Sequence, residues 1–387
     1  MEVGIMSMQR VENYGSFLQA YGLKKEIEKW GHDVQFVDYQ AEPSVVLSEE
    51  EQKSSSANSK ISKAFHMLSP TYRAWRKKQI KMNSTFQEFS RAYNEQFLPK
   101  LDVKKEYNFC PKLDVLVIGS DEVFNCTQPG NKVGFSRQLF GKNNKAKKLI
   151  TYAASFGSTT YEKLEKYHIA EEVGDLLSKF DSISVRDKNS QDIVERLCGF
   201  SPASHIDPVL LYDFPEVDSI SVPMENYMVV YAYADRIKGK EAEAIREFAK
   251  RENKKILSLG FYQPFCDEYV LASPLEVLAY IKHADYVITD TFHGTVFSIK
   301  YQKKFGTIIR DSNRQKLGDL MERFNVMERQ ICDLEKIREI MHSEIDKEKV
   351  RNILLEARME GRDYLKKSIY FRNGFWMNGL KTQKTKY

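Results

Sequence analysis

Short apolar runs alternate with amphipathic stretches along most of this chain, which restricts it to strands and helices layered about parallel sheets. Val3-Gly4-Ile5-Met6 reads as a buried strand. Asn13 can cap a helix whose apolar face is Tyr14, Phe17, Leu18, Tyr21 and Ile27, with Gly31 as its stop. Val34–Val37, Val115–Ile118, Leu149–Ala154 and Ile183–Val185 continue the strand series. The polar, serine-rich residues 48–63 predict a mobile loop ahead of one or two helices reaching Phe97, an insertion outside the core. Asp207-Pro208, Phe214-Pro215 and Val222-Pro223 break helical periodicity and mark a domain junction. A second series follows, with strands at Tyr227–Tyr233, Lys255–Leu259, Tyr286–Thr289 and Phe305–Ile309. Its helices fall near Lys238–Glu252, Pro274–His283 and Gly294–Tyr301. A helix from Asp346 to Lys367 is placed to cross back and brace the first half. The predicted division is 1–210, carrying a basic helical insertion near 60–100, then 224–345, then a helix and basic aromatic tail over 346–387.

At 387 residues the chain suits two domains, because single cores stop growing near ~250–300 residues, and a cleft between domains is the default site. No run approaches the ~18 apolar residues of a membrane span, and Met1–Met6 is too short for a signal-peptide core, so the expected place is the cytoplasm. Cys110, Cys126, Cys198, Cys266 and Cys332 are widely spaced, which predicts buried thiols rather than a disulfide framework or a zinc or iron–sulfur site. The net charge of +5 is concentrated in two segments. Lys60 to Lys100 holds nine Lys or Arg against two Glu, and Gly361 to Tyr387 holds seven against one Asp. Each is a solvated helix face or a patch for anionic lipid or a phosphate-bearing acceptor. No nucleic-acid motif accompanies the charge, so nucleic acid is not an expected partner. Glycine-rich dinucleotide and P-loop patterns, the Gly-x-Ser-x-Gly elbow and His-Glu-x-x-His are all absent, and no metal or cofactor is implied.

The densest stretch of candidate chemistry is Asp285 to Ser298, where an apolar strand runs into a polar turn and a small-residue helix start. His293 is expected at the mouth of a sheet, with Asp290 near enough to orient its ring, and amides of a helix starting near Gly294 can meet an anion. An Asp-capped helix with a structurally bonded His is the alternative. Ser120 and Asp121 follow strand Val115–Ile118, where a carboxylate can take a proton from a substrate hydroxyl or simply close a turn. Arg186 ends strand Ile183–Val185 and is either an anion clamp or a surface partner of Asp187. Asn13 lies at a helix start that binds an anion or shapes a turn, and Arg310 and Arg314 lie just past the last strand. Arg, His and Asp groups from several strand ends suit a small anionic substrate.

Six segments in order resemble the polysaccharide pyruvyl transferase family: Asn13-Tyr14-Gly15-Ser16-Phe17-Leu18-Gln19-Ala20, Ile118-Gly119-Ser120-Asp121-Glu122-Val123-Phe124-Asn125, Tyr152-Ala153-Ala154-Ser155-Phe156-Gly157, Ile183-Ser184-Val185-Arg186-Asp187, Asp207-Pro208-Val209-Leu210-Leu211 and Thr289-Asp290-Thr291-Phe292-His293-Gly294-Thr295. The resemblance implies a GT-B-like fold, two Rossmann-like domains facing across a cleft. It also implies transfer of the enolpyruvyl unit of phosphoenolpyruvate to a sugar, commonly as a ketal across two hydroxyls. The implied acceptor is a lipid-linked saccharide or a glycan bound for the cell surface, which gives the basic segments a use at the inner face of the plasma membrane. His293 matches the family's histidine and is assigned as the acid, Asp121 as the group that deprotonates or orients the attacking hydroxyl, and Arg186 as a donor-binding arginine. The family's Arg-Leu-His is here Thr291-Phe292-His293, so either Arg310 or Arg314 replaces the missing arginine or this branch uses a different donor. The competing readings are a glycosyltransferase of the same shape using a nucleotide sugar, and a non-catalytic scaffold in polysaccharide assembly.

Overall fold

The computed structural model describes residues 1–46, 70–109, 111–128 and 135–370. The predicted loop at 48–63, Cys110 and the tail beyond Tyr370 lie outside them.

Strands β1 (Glu2–Met6), β2 (Asp33–Phe36), β3 (Val115–Ile118) and β4 (Lys148–Thr151) form a parallel sheet in the order β2-β1-β3-β4. Strands β5 (Ser184–Val185) and β6 (Ala203–Ser204) pair beside it, and parallel bridges from Ile150 to Ser182 and from Ala154 to Val185 join them to β4. The second sheet contains β7 (Tyr227–Ala232), β8 (Lys255–Gly260), β9 (Glu268–Val270), β10 (Tyr286–Thr289) and β11 (Lys304–Thr307) in the order β11-β10-β7-β8-β9. Its ladders are parallel too. Both β3 and β10 are buried at every residue, as strands covered by helices on both faces must be. In parallel sheets, groups just past the strand ends converge on one edge, where ligands bind.

The helix Tyr14–Glu28 follows β1 and is buried from Tyr14 through Lys24, far beyond the single face its pattern predicts. The second half explains this: the Tyr14 hydroxyl donates to the Ala272 carbonyl, and Tyr21 stacks on Phe214 at 5.9 Å between centroids. The insertion is a further departure. Its helix Pro70–Ala92 and the turns after it bury Phe89, Ala92, Tyr93 and Phe97 in the core, with Phe89 against Tyr14 at 4.9 Å. Arg76, Lys77, Lys81, Arg91 and Lys100 form its solvated basic face.

The helix Lys347–Tyr370 does cross back. Arg362 donates to Glu26 at 2.8 Å and to the Leu211 carbonyl at 3.1 Å, Arg358 donates to the Leu210 carbonyl at 2.6 Å, and the Tyr364 hydroxyl donates to the Thr151 carbonyl at 3.0 Å. These contacts fix the short helix Pro208–Leu211 at the junction. Among the described cysteines the expectation of buried thiols holds for Cys126: Cys198 and Cys266 are partly exposed and Cys332 is exposed.

Candidate functional site

Four side chains from four strand or helix ends meet between the two sheets. Asp207 caps the Pro208–Leu211 helix through Oδ1, which accepts from the Val209 amide at 2.9 Å, leaving Oδ2 turned to the cleft. Arg186, just past β5, donates to Oδ2 at 2.8 Å and lies 3.4 Å from Asp121 Oδ1. Asp121, past β3, accepts from the Ser16 hydroxyl at 2.7 Å. His293, past β10, places Nε2 3.7 Å from Asp207 Oδ2, an electrostatic approach rather than a hydrogen bond. Its Nε2 and Arg186 Nε have no hydrogen-bond partner although both are buried. The Arg186 guanidinium also lies over the Phe292 ring at 4.4 Å.

The electrostatics follow from this packing. Burial pushes the Asp121 carboxyl up, but Arg186, His293 and the Ser16 hydroxyl outweigh it and hold the group below its ordinary value. Asp207 is likewise lowered, with His293 and Arg186 overcoming its burial. Both are therefore carboxylates at neutral pH.

The local sequence explains the histidine's position. The Thr291 hydroxyl accepts from the Gly294 amide at 2.9 Å and starts the helix Phe292–Lys300 two residues earlier than expected, setting His293 in its first turn. The cap is thus Thr291 rather than Asp290, and the Gly294 amide is already used. Across the cleft Gly15 gives the ring its seat, since a Cβ there would lie 2.1 Å from His293 Nδ1.

Several expectations need correction. Asp290 does not orient His293; it accepts from the Tyr233 amide at 3.4 Å and faces Arg310 and Arg236 at 3.6 and 3.9 Å. Arg314 points away, 65 % exposed and paired with Asp311, because the residues after β11 turn into the helix Arg314–Arg323. Arg310 is nearer, but its fork is bound by Glu241 at 2.7 and 2.8 Å. Arg186 is no surface partner of Asp187, which caps the next helix. Asn13 caps its helix through Gly15 at 2.7 Å, and its amide reaches the Tyr233 hydroxyl at 3.4 Å. Ser120 is buried, its hydroxyl donating to the Ala153 carbonyl at 3.0 Å and lying 3.5 Å from Arg186.

Sequence reasoning marked Asp207 as a junction residue and as part of a resembling segment, but gave it no role in the site. An Asp before a Pro is itself a helix-cap signal, but nothing local says which side chain lies opposite. Lys316 and Glu122 were also missed; they pair at 2.5 Å across the cleft. Asn13, Tyr231, Ala232, Tyr233, Phe261, Thr291 and His293 line one pocket. Among the described residues no group of acidic, His and Cys side chains could hold a metal, and no helix is long and apolar enough to cross a membrane.

Solved structures share this architecture. A UDP-N-acetylglucosamine 2-epimerase superposes with a TM-score of 0.50 at 10 % identity over 96 % of this chain and 97 % of that one. The UDP-GlcNAc 2-epimerase from Methanocaldococcus jannaschii gives 0.49 at 12 % identity over 96 % and 100 %. The glycotransferase of kitacinnamycin gives 0.45 at 11 % over 95 % and 98 %. Such identities speak to fold alone, and the fold is GT-B-like. No curated protein sequence matches the chain. The polysaccharide pyruvyl transferase family matches residues 13–312, from the Asn13 cap through β11, and the protein belongs to that family of transferases.

Proposed function

We propose that the protein transfers the enolpyruvyl unit of phosphoenolpyruvate to a saccharide of a surface polysaccharide or its lipid-linked precursor. The observation that carries this reading is the meeting of His293 with Arg186, Asp121 and Asp207 where the carboxyl ends of the strands converge. His293 gives a proton to the methylene carbon, making the adjacent carbon electrophilic. An acceptor hydroxyl adds there and loses its proton to Asp121. A second hydroxyl displaces the phosphate and returns its proton to the His293 ring, and the products are a cyclic ketal and inorganic phosphate. Asp207 orients the His293 ring and anchors Arg186, whose unpartnered Nε remains to bind the donor's carboxylate. Ser120 and Asn13 shape the two sides of this site.

In this reading residues 1–210 form the first domain, 224–345 the second, and 346–387 hold the crossing helix and the tail after it. The protein works in the cytoplasm, with the basic face of the insertion against anionic lipid. The test measures phosphate release from phosphoenolpyruvate with a panel of lipid-linked and nucleotide-linked sugars. Release should need an acceptor, and the acceptor should gain the mass of pyruvate less water. His293→Ala and Arg186→Ala should each lower the rate by roughly 10²-fold or more, the scale of losing a general acid or a fixed charge, with circular dichroism unchanged. Undiminished transfer in both variants would remove the assignment. A nucleotide sugar, consumed in place of phosphoenolpyruvate, would point instead to a glycosyltransferase.

A further inference from the structure

Residues 233–236 form a turn after β7 at the rim of the pocket that holds His293. Three elements hold that turn. The Asp290 carboxylate accepts from the Tyr233 amide, Arg310 donates to the Arg236 carbonyl at 3.4 Å, and Lys78 of the insertion pairs with Asp235 at 2.8 Å. The Arg236 guanidinium lies over the Tyr233 ring, 4.6 Å from its centroid, and Tyr233 itself lines the pocket.

The cations around this pocket differ in what they have left to give. Arg186 is held by two carboxylates, Lys316 by Glu122, and Arg310 by Glu241 through both arms of its fork. Arg236 is 38 % exposed, approaches Asp290 no nearer than 3.9 Å, and makes no side-chain hydrogen bond among the described residues. Behind it, the buried Asp290 Oδ2 and Arg310 Nε make no hydrogen bond but face each other at 3.6 Å, so both are engaged as an ion pair.

We propose that Arg236 binds a phosphate oxyanion of the donor at the rim of the His293 pocket, a role additional to those assigned above and resting on that reading of the site. The guanidinium keeps its face on Tyr233 while its free edge gives two parallel hydrogen bonds to phosphate oxygens. The shared chemistry is a phosphate ester, whether the monoester of phosphoenolpyruvate or the diphosphate of a nucleotide sugar. Arg310 and Asp290 are positioning groups that hold the turn.

The experiment is isothermal titration of the full chain with phosphoenolpyruvate, UDP-N-acetylglucosamine and inorganic phosphate. Wild type is compared with Arg236→Gln, Arg236→Lys and, as a matched loss of surface charge, Arg251→Gln. Phosphoenolpyruvate should bind wild type and Arg251→Gln alike and Arg236→Gln at least tenfold more weakly, with Arg236→Lys recovering only part of the loss. Equal phosphoenolpyruvate binding by wild type and Arg236→Gln would overturn the role of Arg236 and leave the donor assignment standing. If wild type ignores phosphoenolpyruvate but binds the UDP sugar, and Arg236→Gln weakens it, the role of Arg236 stands and the donor assignment falls. Binding of none of the three by wild type would overturn both.

Discussion

A methyl group on Gly15 would overlap the His293 ring, and the ring has little room to yield because Phe292 and Phe297 lie 5.5 and 6.0 Å from it and Asp207 faces its Nε2. Gly15 has helical backbone, so alanine there gains about 1 kcal/mol of helix propensity while the overlap costs about 1–3 kcal/mol. Gly15→Ala should therefore shift the melting temperature by only a few degrees but lower transfer at least tenfold, because the displaced ring no longer reaches its carbon. Thermal melting beside a phosphate-release assay checks this, and a rate equal to wild type would show that the ring is not held where it acts. At this scale the site was partly legible. His293, Asp121 and Arg186 were legible because each follows an apolar run that could only be a strand. Asp207 and Gly15 as partners of His293 were not, since one lies 86 positions before it and the other in the first helix. Arg314 was misread because nearness to a strand end says nothing of which way a helix then turns.

Elements were easier to read when they were long or fully buried. The strands β3 and β10 came through at their full length, while the three-residue β9 carried too little pattern to be seen, and the helix Arg314–Arg323 was passed over although Leu317, Leu320, Met321 and Phe324 recur at helical spacing. The insertion helix was misjudged because its four basic residues between Arg73 and Lys78 outweigh in composition the aromatic stripe that enters the core further on. The crossing helix was foreseen, but not what it covers. His205 is shut between Tyr364 of that helix, 4.6 Å away, and Tyr152, with Nδ1 2.7 Å from the Ser184 hydroxyl. Burial, helped by the Arg323 charge, lowers its ring from 6.5 to about 4. The unfolded chain therefore takes up this proton first as pH falls. Stability is unaffected above pH ~6.5 and falls between ~6.5 and ~4 by a total of about 3 kcal/mol, then levels off for this group. Urea unfolding across that range should show the loss, and His205→Gln should flatten it. An equal slope in the variant would assign the loss elsewhere. Lowered carboxyls such as Asp121 and Asp207 add their own losses only at lower pH, as they are protonated.

Across the whole molecule, the halves are tied at points surrounding the pocket: Lys316 to Glu122, Lys188 to Glu322, Lys78 to Asp235, and the Asn13 amide to the Tyr233 hydroxyl. Of these three ion pairs the Lys316–Glu122 pair is the most enclosed, about a fifth exposed on each side. Lys316→Met strands the Glu122 carboxylate, and the cost, discounted from the ~3–5 kcal/mol of a fully buried pair, should be about 2–4 kcal/mol. The double variant with Glu122→Gln should regain most of it, as a double-mutant cycle by urea unfolding would show; additive losses would mean the pair is not coupled. The seating of His293 on Gly15 carries a different consequence. The ring comes from one half and the space for it from the other, so neither half can be inherited or exchanged as a working module. A chimera joining the first half of a distant relative to residues 211–387 of this chain would fold each sheet and still misplace the ring, unless that relative's first helix also spared the side chain where Gly15 stands.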